Sequence, residues 1–357
     1  MCISVLIPLK GYKLIPKTIE SVLSQKCEDY EIWILRNDIT DLPKGIDAEE
    51  RETVCYGETI TIKELLIREC GKGNALNEGI KRANGDIIAV VDADCILQEG
   101  ALKTAVKHFA NDAVAAVGGR LLVMIEDESL LEKIQSFEYM KSFQFARRIW
   151  NKLHAQCLIS GAFGLFRKRD LLEIGGYDTD TVGEDMEVVL RLQNDGYRRT
   201  SKQIVYEPNA LCATGVPHNM KKLLRQRDRW QRGLIDCLSK HHMMILNPNY
   251  ALLGILTLGY QLGFEMMGPL LCTAGLGWIA FGYGVPKSWL FVTLYIALEL
   301  GIAIIAEYYE VEKNARELFR RLPGLVLLTV ISFSYQVVIM VARVYGIITF
   351  RRRRTVW

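Results

Sequence analysis

From about residue 250 the chain turns apolar. Three long stretches, about Ala251 to Val285, Trp289 to Ala306 and Leu325 to Ala342, follow one another with few charges inside them. Roughly 20 apolar residues in helical form cross the hydrocarbon core of a bilayer, so these read as membrane segments. Trp278, Tyr283, Trp289, Tyr308, Tyr309, Tyr345 and Arg351 to Arg354 flank them, as interfacial aromatic and basic anchors do. The first stretch, with Pro269 inside, reads either as a tight hairpin or as an interfacial helix leading into one span. The chain thus divides into a first domain, residues 1–245, and a membrane domain, residues 246–357, with three or four hydrophobic segments and a basic tail.

The first domain alternates short apolar runs with helical patterns. Ile3 to Ile7, Glu31 to Leu35 and Ile87 to Val91 are strand-like. Ala75, Leu76, Ile80 and Ala83, and then Leu102, Val106 and Phe109, recur at helical spacing. Such alternation predicts an α/β domain with a mostly parallel sheet. The charged fraction is 24% and the net charge +3, a balance that argues against nucleic acid as a partner. The nine cysteines include no C-x-x-C pair, which fits reduced thiols in the cytosol. His241 and His242 lack the carboxylate or cysteine spacing of a metal site and read as surface residues. Met1 leads into Ile3 to Ile7, too short for a signal h-region, so the first domain is expected in the cytoplasm.

Three groups of residues can carry chemistry. Asp92-Ala93-Asp94 follows the strand Ile87 to Val91. Open α/β sheets bind ligands beyond the carboxyl ends of their strands, and two carboxylates there can hold a hard divalent cation. A second such triplet, Asp178-Thr179-Asp180, reads as a turn. Glu184-Asp185 opens a helical pattern, either as charge complementing the helix dipole or as a general base. In Gln226-Arg227-Asp228-Arg229-Trp230 the two guanidinium forks suit a diphosphate and the indole suits a sugar face. The same run also reads as a solvated basic helix with a Trp at the membrane surface.

Taken in order, these segments resemble the family-2 glycosyltransferases, in the membrane-bound branch that contains cellulose, chitin, hyaluronan and poly-N-acetylglucosamine synthases. The resemblance covers nearly the whole chain. Ser4-Val5-Leu6-Ile7-Pro8 is similar to that family's first strand. Gly71-Lys72-Gly73-Asn74-Ala75-Leu76-Asn77 and Asn84-Gly85-Asp86 resemble its nucleotide-contacting segment. Asp92-Ala93-Asp94 matches its metal motif, Ser160-Gly161-Ala162-Phe163-Gly164 its acceptor-side loop, Glu184-Asp185 its acidic pair, and the run from Gln226 to Trp230 its Q-x-x-R-W signature. The chain departs from the pattern twice. Arg36-Asn37-Asp38 stands where the family has an acidic pair after its second strand, and Leu9-Lys10-Gly11 replaces a polar-acidic pair after the first.

The resemblance implies a GT-A type nucleotide-sugar-binding domain followed by C-terminal transmembrane helices. It implies an inverting, metal-dependent transfer of a hexose or N-acetylhexosamine from a nucleotide sugar, a UDP-sugar by family habit, to a growing β-linked polysaccharide. Pro8, Lys72, Asp86, Asp92, Arg227 and Arg229 would bind the donor. Asp94 with Asp92 would hold Mg2+ or Mn2+, and Asp185 would be the catalytic base. Gly161, Glu184, Gln226 and Trp230 would meet the acceptor. Single-sugar transfer to a lipid-linked acceptor is the alternative enzyme, acting among membrane lipids in a multi-pass protein of the cell membrane. A transporter or structural subunit is the alternative of another class, prompted by Glu265 and Glu299 inside the apolar stretches.

Overall fold

The computed structural model describes residues 2–10, 16–25, 27, 30–39, 42, 47–56, 60–199, 202–281, 285–311 and 313–350. Gly11, Tyr283 and Arg351 to Arg354 therefore lie outside the described residues, as do the side chains of Trp278 and Trp289.

Strands β1 (Ile3–Lys10), β2 (Tyr30–Asn37), β3 (Ala48–Tyr56), β4 (Ile60–Ile67), β5 (Ile87–Val91), β6 (Cys95–Leu97), β7 (Val114–Val123), β8 (Phe163–Arg167) and β9 (Gln203–Thr214) build one sheet. Its order is β3-β4-β2-β1-β5-β8-β7-β9-β6. The described helices are α1 (Pro16–Leu23), α2 (Lys72–Arg82), α3 (Ala101–Val106), α4 (Leu130–Tyr139), α5 (Ala146–Lys152), α6 (Lys168–Glu173), α7 (Glu184–Arg199), α8 (Met220–Lys240), α9 (Gly268–Phe281), α10 (Val285–Glu310) and α11 (Ala315–Thr349). The three strand-like runs fall on β1, β2 and β5, and the two helical patterns on α2 and α3, with Ala83 just past the end of α2 and Phe109 in the turn after α3.

The sheet is mixed rather than mostly parallel. β4, β2, β1 and β5 run parallel, but β3 is antiparallel to β4, and β8 lies antiparallel between β5 and β7. Parallel strands covered on both faces read as continuous apolar runs. β1 and β5 fit that rule, being buried along almost their whole length. Helices α1 and α3 cover one face through Val22, Ala101, Leu102 and Ala105. Helices α2 and α7 cover the other through Ala75, Leu76, Ile80, Val188, Val189 and Leu192. The chain leaves β1 toward β2 on one side and later returns to β5 on the other. The crevice beyond the carboxyl ends of β1 and β5 is thus a topological switch point, the usual ligand position in such sheets.

Among its described residues, the first apolar stretch forms no helix long enough to cross a membrane. It breaks into π-helical turns at Leu253–Leu258 and Gln261–Met266 before the 14-residue α9. Leu253 and Leu258 pack with Ala155, Met186, Leu190 and Cys237, and Thr257 Oγ1 donates to the Ala155 carbonyl at 2.8 Å. Half of this stretch is therefore spent on the first domain. Among the described residues, two helices are long and apolar enough to cross a membrane, over Val292–Glu310 and Ala315–Thr349. Only 17% and 33% of their most apolar windows are buried by the rest of the chain. Leu294, Leu298, Leu327, Val341 and Ile348 stand exposed on them, a surface that calls for apolar surroundings. Glu265 and Glu299 both have partners within the chain: Arg343 at 2.7 Å for the first and Lys141 for the second.

Candidate active site

Asp92, Ala93 and Asp94 lie just past the carboxyl end of β5, at the switch point. The turn is held from two sides. The Asp92 N–H donates to the Ala162 carbonyl at 3.1 Å, and Thr18 Oγ1 of α1 donates to the Ala93 carbonyl at 2.7 Å. Lys72, the first residue of α2, reaches across the crevice. Its Nζ lies 2.5 Å from Asp92 Oδ1, 3.0 Å from the Gly161 carbonyl oxygen and 3.9 Å from Glu184 Oε1. Burial alone would lower the Lys72 pKa, but Asp92 and Glu184 outweigh it and hold it above its ordinary value.

The second half of the site comes from α7. Glu184 and Asp185 are its first two residues, so the helix-dipole reading and the chemical reading apply together. Asp185 Oδ2 accepts from the Gly161 N–H at 3.2 Å and Oδ1 from the Met186 N–H at 2.9 Å. A carboxylate has about four acceptor positions, so capacity remains for a substrate hydroxyl. Burial pushes the Glu184 carboxyl up to about 7 against the pull of Lys72, and Asp185 adds to the rise. A Cβ on Gly161 would lie 2.8 Å from Lys72 Nζ, so a side chain there would push the end of the lysine from its present place. A small cavity is lined by Lys72, Ser160, Gly161, Tyr177, Glu184 and Asp185. Lys72, Asp92, Gly161, Glu184 and Asp185, drawn from four separate segments, thus converge on one crevice.

Asp94 presents an exposed carboxylate beside them, 3.8 Å from where a Cβ on Gly215 would stand. Desolvation by its surroundings and the charge of Asp92 raise its pKa. Two carboxylates that repel each other at a strand end, open to solvent on one side, are a donor set that fits a hard divalent cation. A separate group, Asp127, Glu132 and His218, brings its ligand atoms within 4.8 Å of one another. There the Glu132 oxygens already accept from the Glu126, Asp127 and Ser129 N–H groups in a helix capping box.

The remaining expected site residues divide by position. Pro8 is buried near the carboxyl end of β1, level with the switch point. Asp86 precedes β5 at the opposite end, roughly 20 Å of strand away from Asp92, and its carbonyl accepts the Lys168 N–H at 2.9 Å. It is not brought to the crevice, because a strand carries its two flanks to opposite edges of the sheet. Helix α8 packs on the start of α7 through glycine against glycine: a Cβ on Gly183 would lie 2.9 Å from the Gly233 Cα. By helical spacing Gln226 and Arg229 share the face of Gly233, while Arg227 lies about 120° round. Arg229 is exposed. Arg227 is buried and bonds Glu138 Oε2 at 2.7 Å and the Tyr335 hydroxyl at 3.2 Å, so it ties α8 to α4 and α11. Its guanidinium also lies 4.2 Å over the Trp230 ring, which meets Phe143 edge-on at 5.9 Å. Where the family has its acidic pair, Arg36 pairs with Glu64, Asn37 donates to the Gly71 carbonyl at 3.4 Å and Asp38 adopts a left-handed backbone.

The sequence did not single out Tyr177, Glu138 or Arg147. Tyr177 and Glu138 carry no local pattern of their own. Arg147 belongs to none of the motifs read from the sequence.

The chain is similar to known proteins over more than half of its length. The description "Glycosyl transferase family group 2" matches residues 87–305. Poly-beta-1,6-N-acetyl-D-glucosamine synthase of Staphylococcus aureus (strain COL) is 34% identical over 220 residues, 61% of this chain and 51% of that protein. The synthase of the same name from Staphylococcus epidermidis is 34% identical over 217 residues, 60% of this chain and 50% of that protein. The chain spans about half the length of these curated relatives. Among solved structures, the mannosyltransferase PcManGT from Pyrobaculum calidifontis, in complex with GDP-Man and Mn2+, superposes with a TM-score of 0.56 at 18% identity. That match covers 92% of this chain and 86% of that one, and the shared architecture is the GT-A fold. With the family pattern matched over residues 87–305, from β5 into α10, the chain belongs to glycosyl transferase family group 2.

Proposed function

We propose that the protein is an inverting, metal-dependent glycosyltransferase that moves a hexose or N-acetylhexosamine from a nucleotide sugar to a growing β-linked polysaccharide at the membrane. The observation that carries the reading is the Lys72 bridge. One ammonium touches Asp92 and the Gly161 carbonyl and stands near Glu184, while the Gly161 N–H points at Asp185. Donor-side and acceptor-side residues are therefore held together before any substrate arrives. The names of the staphylococcal relatives support an N-acetylhexosamine as the transferred sugar and a polymeric product.

Asp94 with Asp92 would hold Mg2+ or Mn2+, which when bound neutralises the negative charge on a leaving diphosphate. The chain's own residues do the rest. Asp185 accepts the proton of the acceptor hydroxyl as its oxygen forms a bond to the anomeric carbon. The bond from that carbon to the diphosphate breaks, and the nucleoside diphosphate leaves with the electron pair. Attack from the face opposite the leaving group inverts the anomeric centre. Lys72 orients Asp92 and the Gly161 loop, and Pro8 fixes the end of β1 beside the donor. Arg229 and Gln226 on the site-facing side of α8 serve the diphosphate and the acceptor, with Trp230 as the acceptor's stacking surface. Arg227 supports Trp230 from behind. Closure against water is required, because an open site hydrolyses the donor.

We take residues 1–245 as the cytoplasmic catalytic domain and residues 246–357 as the membrane domain. A second reading, transfer of a single sugar to a lipid-linked acceptor, is favoured by the packing of α4 and the turn after it on α10 and α11. Phe137, Met140, Ala303, Ala306 and Leu325 form one cluster there. Product size distinguishes the two: a ladder of masses supports polymerisation, and a single increment with every acceptor supports the lipid reading.

A further inference from the structure

Glu138 of α4, Arg227 of α8 and Tyr335 of α11 close a triangle of hydrogen bonds. Glu138 Oε2 accepts from Arg227 Nη2 at 2.7 Å and from the Tyr335 hydroxyl at 2.8 Å, and the same Nη2 donates to the tyrosine oxygen at 3.2 Å. Arg227 is 4% and Tyr335 5% exposed, so water does not compete for these bonds. A buried guanidinium commonly anchors as a fork, two nitrogens on two oxygens. Here both bonds converge on Nη2, and the Arg227 Nε has no hydrogen-bond partner among the described residues. A cation held at one nitrogen by one oxygen can pivot about that bond. The tyrosine oxygen is the second point that fixes its direction.

That direction matters because the guanidinium lies 4.2 Å over the Trp230 ring. Trp230 is only partly buried and meets Phe143 edge-on at 5.9 Å, while Phe143 in turn lies under the Arg147 guanidinium at 5.0 Å. Cation–π attraction draws such groups together without fixing an angle. The row has a cation at each end, and the two differ. Arg147 Nη2 has no hydrogen-bond partner among the described residues, whereas Arg227 is tied to two other helices. The hydrogen-bonded end therefore sets the tilt of the indole. Past Trp230, α11 holds α8 again: Arg343 Nε donates to Gln231 Oε1 at 2.7 Å and Arg232 Nη2 to Thr349 Oγ1 at 3.1 Å. The Tyr335 ring packs with Ile134, Leu223 and Ile339, contacts that a phenylalanine would make as well. Its hydroxyl is the part that packing does not explain.

We infer that Tyr335 is a positioning residue for Trp230: its hydroxyl fixes Arg227 on Glu138, Arg227 fixes the indole, and α11 thereby sets how the acceptor's sugar stacks. The last step rests on the reading of Trp230 as the acceptor's stacking surface.

The test compares the full-length wild type, Tyr335→Phe, Trp230→Phe and the double variant in a neutral detergent. Tryptophan emission and its quenching by acrylamide, without substrate, report the surroundings of the ring. Tyr335→Phe should shift both against the wild type, and the shift should vanish between Trp230→Phe and the double variant, because the responding ring is gone. No shift, or one that persists without Trp230, overturns the inference. With a panel of nucleotide sugars, Tyr335→Phe should lower product mass per nucleoside diphosphate released several-fold and add nothing to the loss in Trp230→Phe. An additive loss in the double variant, or an equal fall of release and product mass in Tyr335→Phe, makes Tyr335 merely structural and sinks the proposal. Absence of release by the wild type sinks the glycosyltransferase reading, and emission still decides whether Tyr335 positions the ring. Release with product unchanged in Trp230→Phe sinks the stacking role and with it the last step of the inference.

Discussion

Replacing Glu184 by glutamine removes a charge from a place where the fold disfavours it. The side chain is 7% exposed, and burial together with Asp185 lifts its carboxyl from an ordinary 4.5 to about 7, while Lys72 pulls the other way. Between those two pH values the folded protein holds a proton that the unfolded chain has lost. Stability therefore falls as pH rises through this window. The contribution is fully present below about 4.5 and gone above about 7. A gap of about 2.5 pH units, at about 1.4 kcal/mol each, amounts to about 3 kcal/mol. Glutamine keeps the volume and some of the hydrogen bonding but has no proton to lose, and Lys72 keeps Asp92 as its partner. Thermal unfolding of both proteins in detergent, at steps from pH 4.5 to pH 8, reads the difference. The variant should gain on the wild type by about 3 kcal/mol across the series, with the change concentrated below about pH 7. Curves that stay parallel at every pH would show that Glu184 ionises normally, and the description of a desolvated acidic pair at the start of α7 would be wrong.

Asp185→Asn should lower transfer by roughly 100-fold or more while donor binding survives in calorimetry; equal collapse of donor affinity would make the residue structural. Glu138→Gln leaves the buried Arg227 without its carboxylate and should cost about 3 kcal/mol of stability, so an unchanged melting temperature would refute the pairing of α8 with α4. Trp230→Ala should shorten the product more than it slows donor consumption, if the ring is an acceptor surface. Weaker membrane association with unchanged product length would make it a lipid anchor instead.

What the sequence disclosed and what it hid have physical causes. Continuous apolar runs marked β1 and β5, and the position of Asp92-Ala93-Asp94 past β5 followed from the run before it. The mixed sheet was not legible, because strand direction depends on where β8 inserts, and Phe163 to Arg167 reads alike in either direction. The first membrane stretch was read as a hairpin or an interfacial helix, but its packing on the first domain was hidden for a similar reason. Apolar side chains that pack on Ala155 and Cys237 have the same hydropathy as side chains that meet lipid. Helical periodicity could have set Gln226 and Arg229 apart from Arg227, but the face that each would meet required the Gly183–Gly233 contact. Proximity in a motif misled at Asp86, which the chain direction carries to the far edge of the sheet. Arg147 could not be singled out at all, because a missing partner is a property of three dimensions.

The central claim is that the crevice joining Asp92, Asp94 and Asp185 transfers sugar from a nucleotide donor. The most direct test incubates the purified full-length protein with a panel of nucleotide sugars and Mg2+ or Mn2+, and follows both nucleoside diphosphate release and product mass. The account predicts release with at least one donor, a product heavier by whole sugar residues, and loss of both with excess chelator or in Asp94→Asn. No release from any donor, or undiminished release by Asp94→Asn, would contradict it.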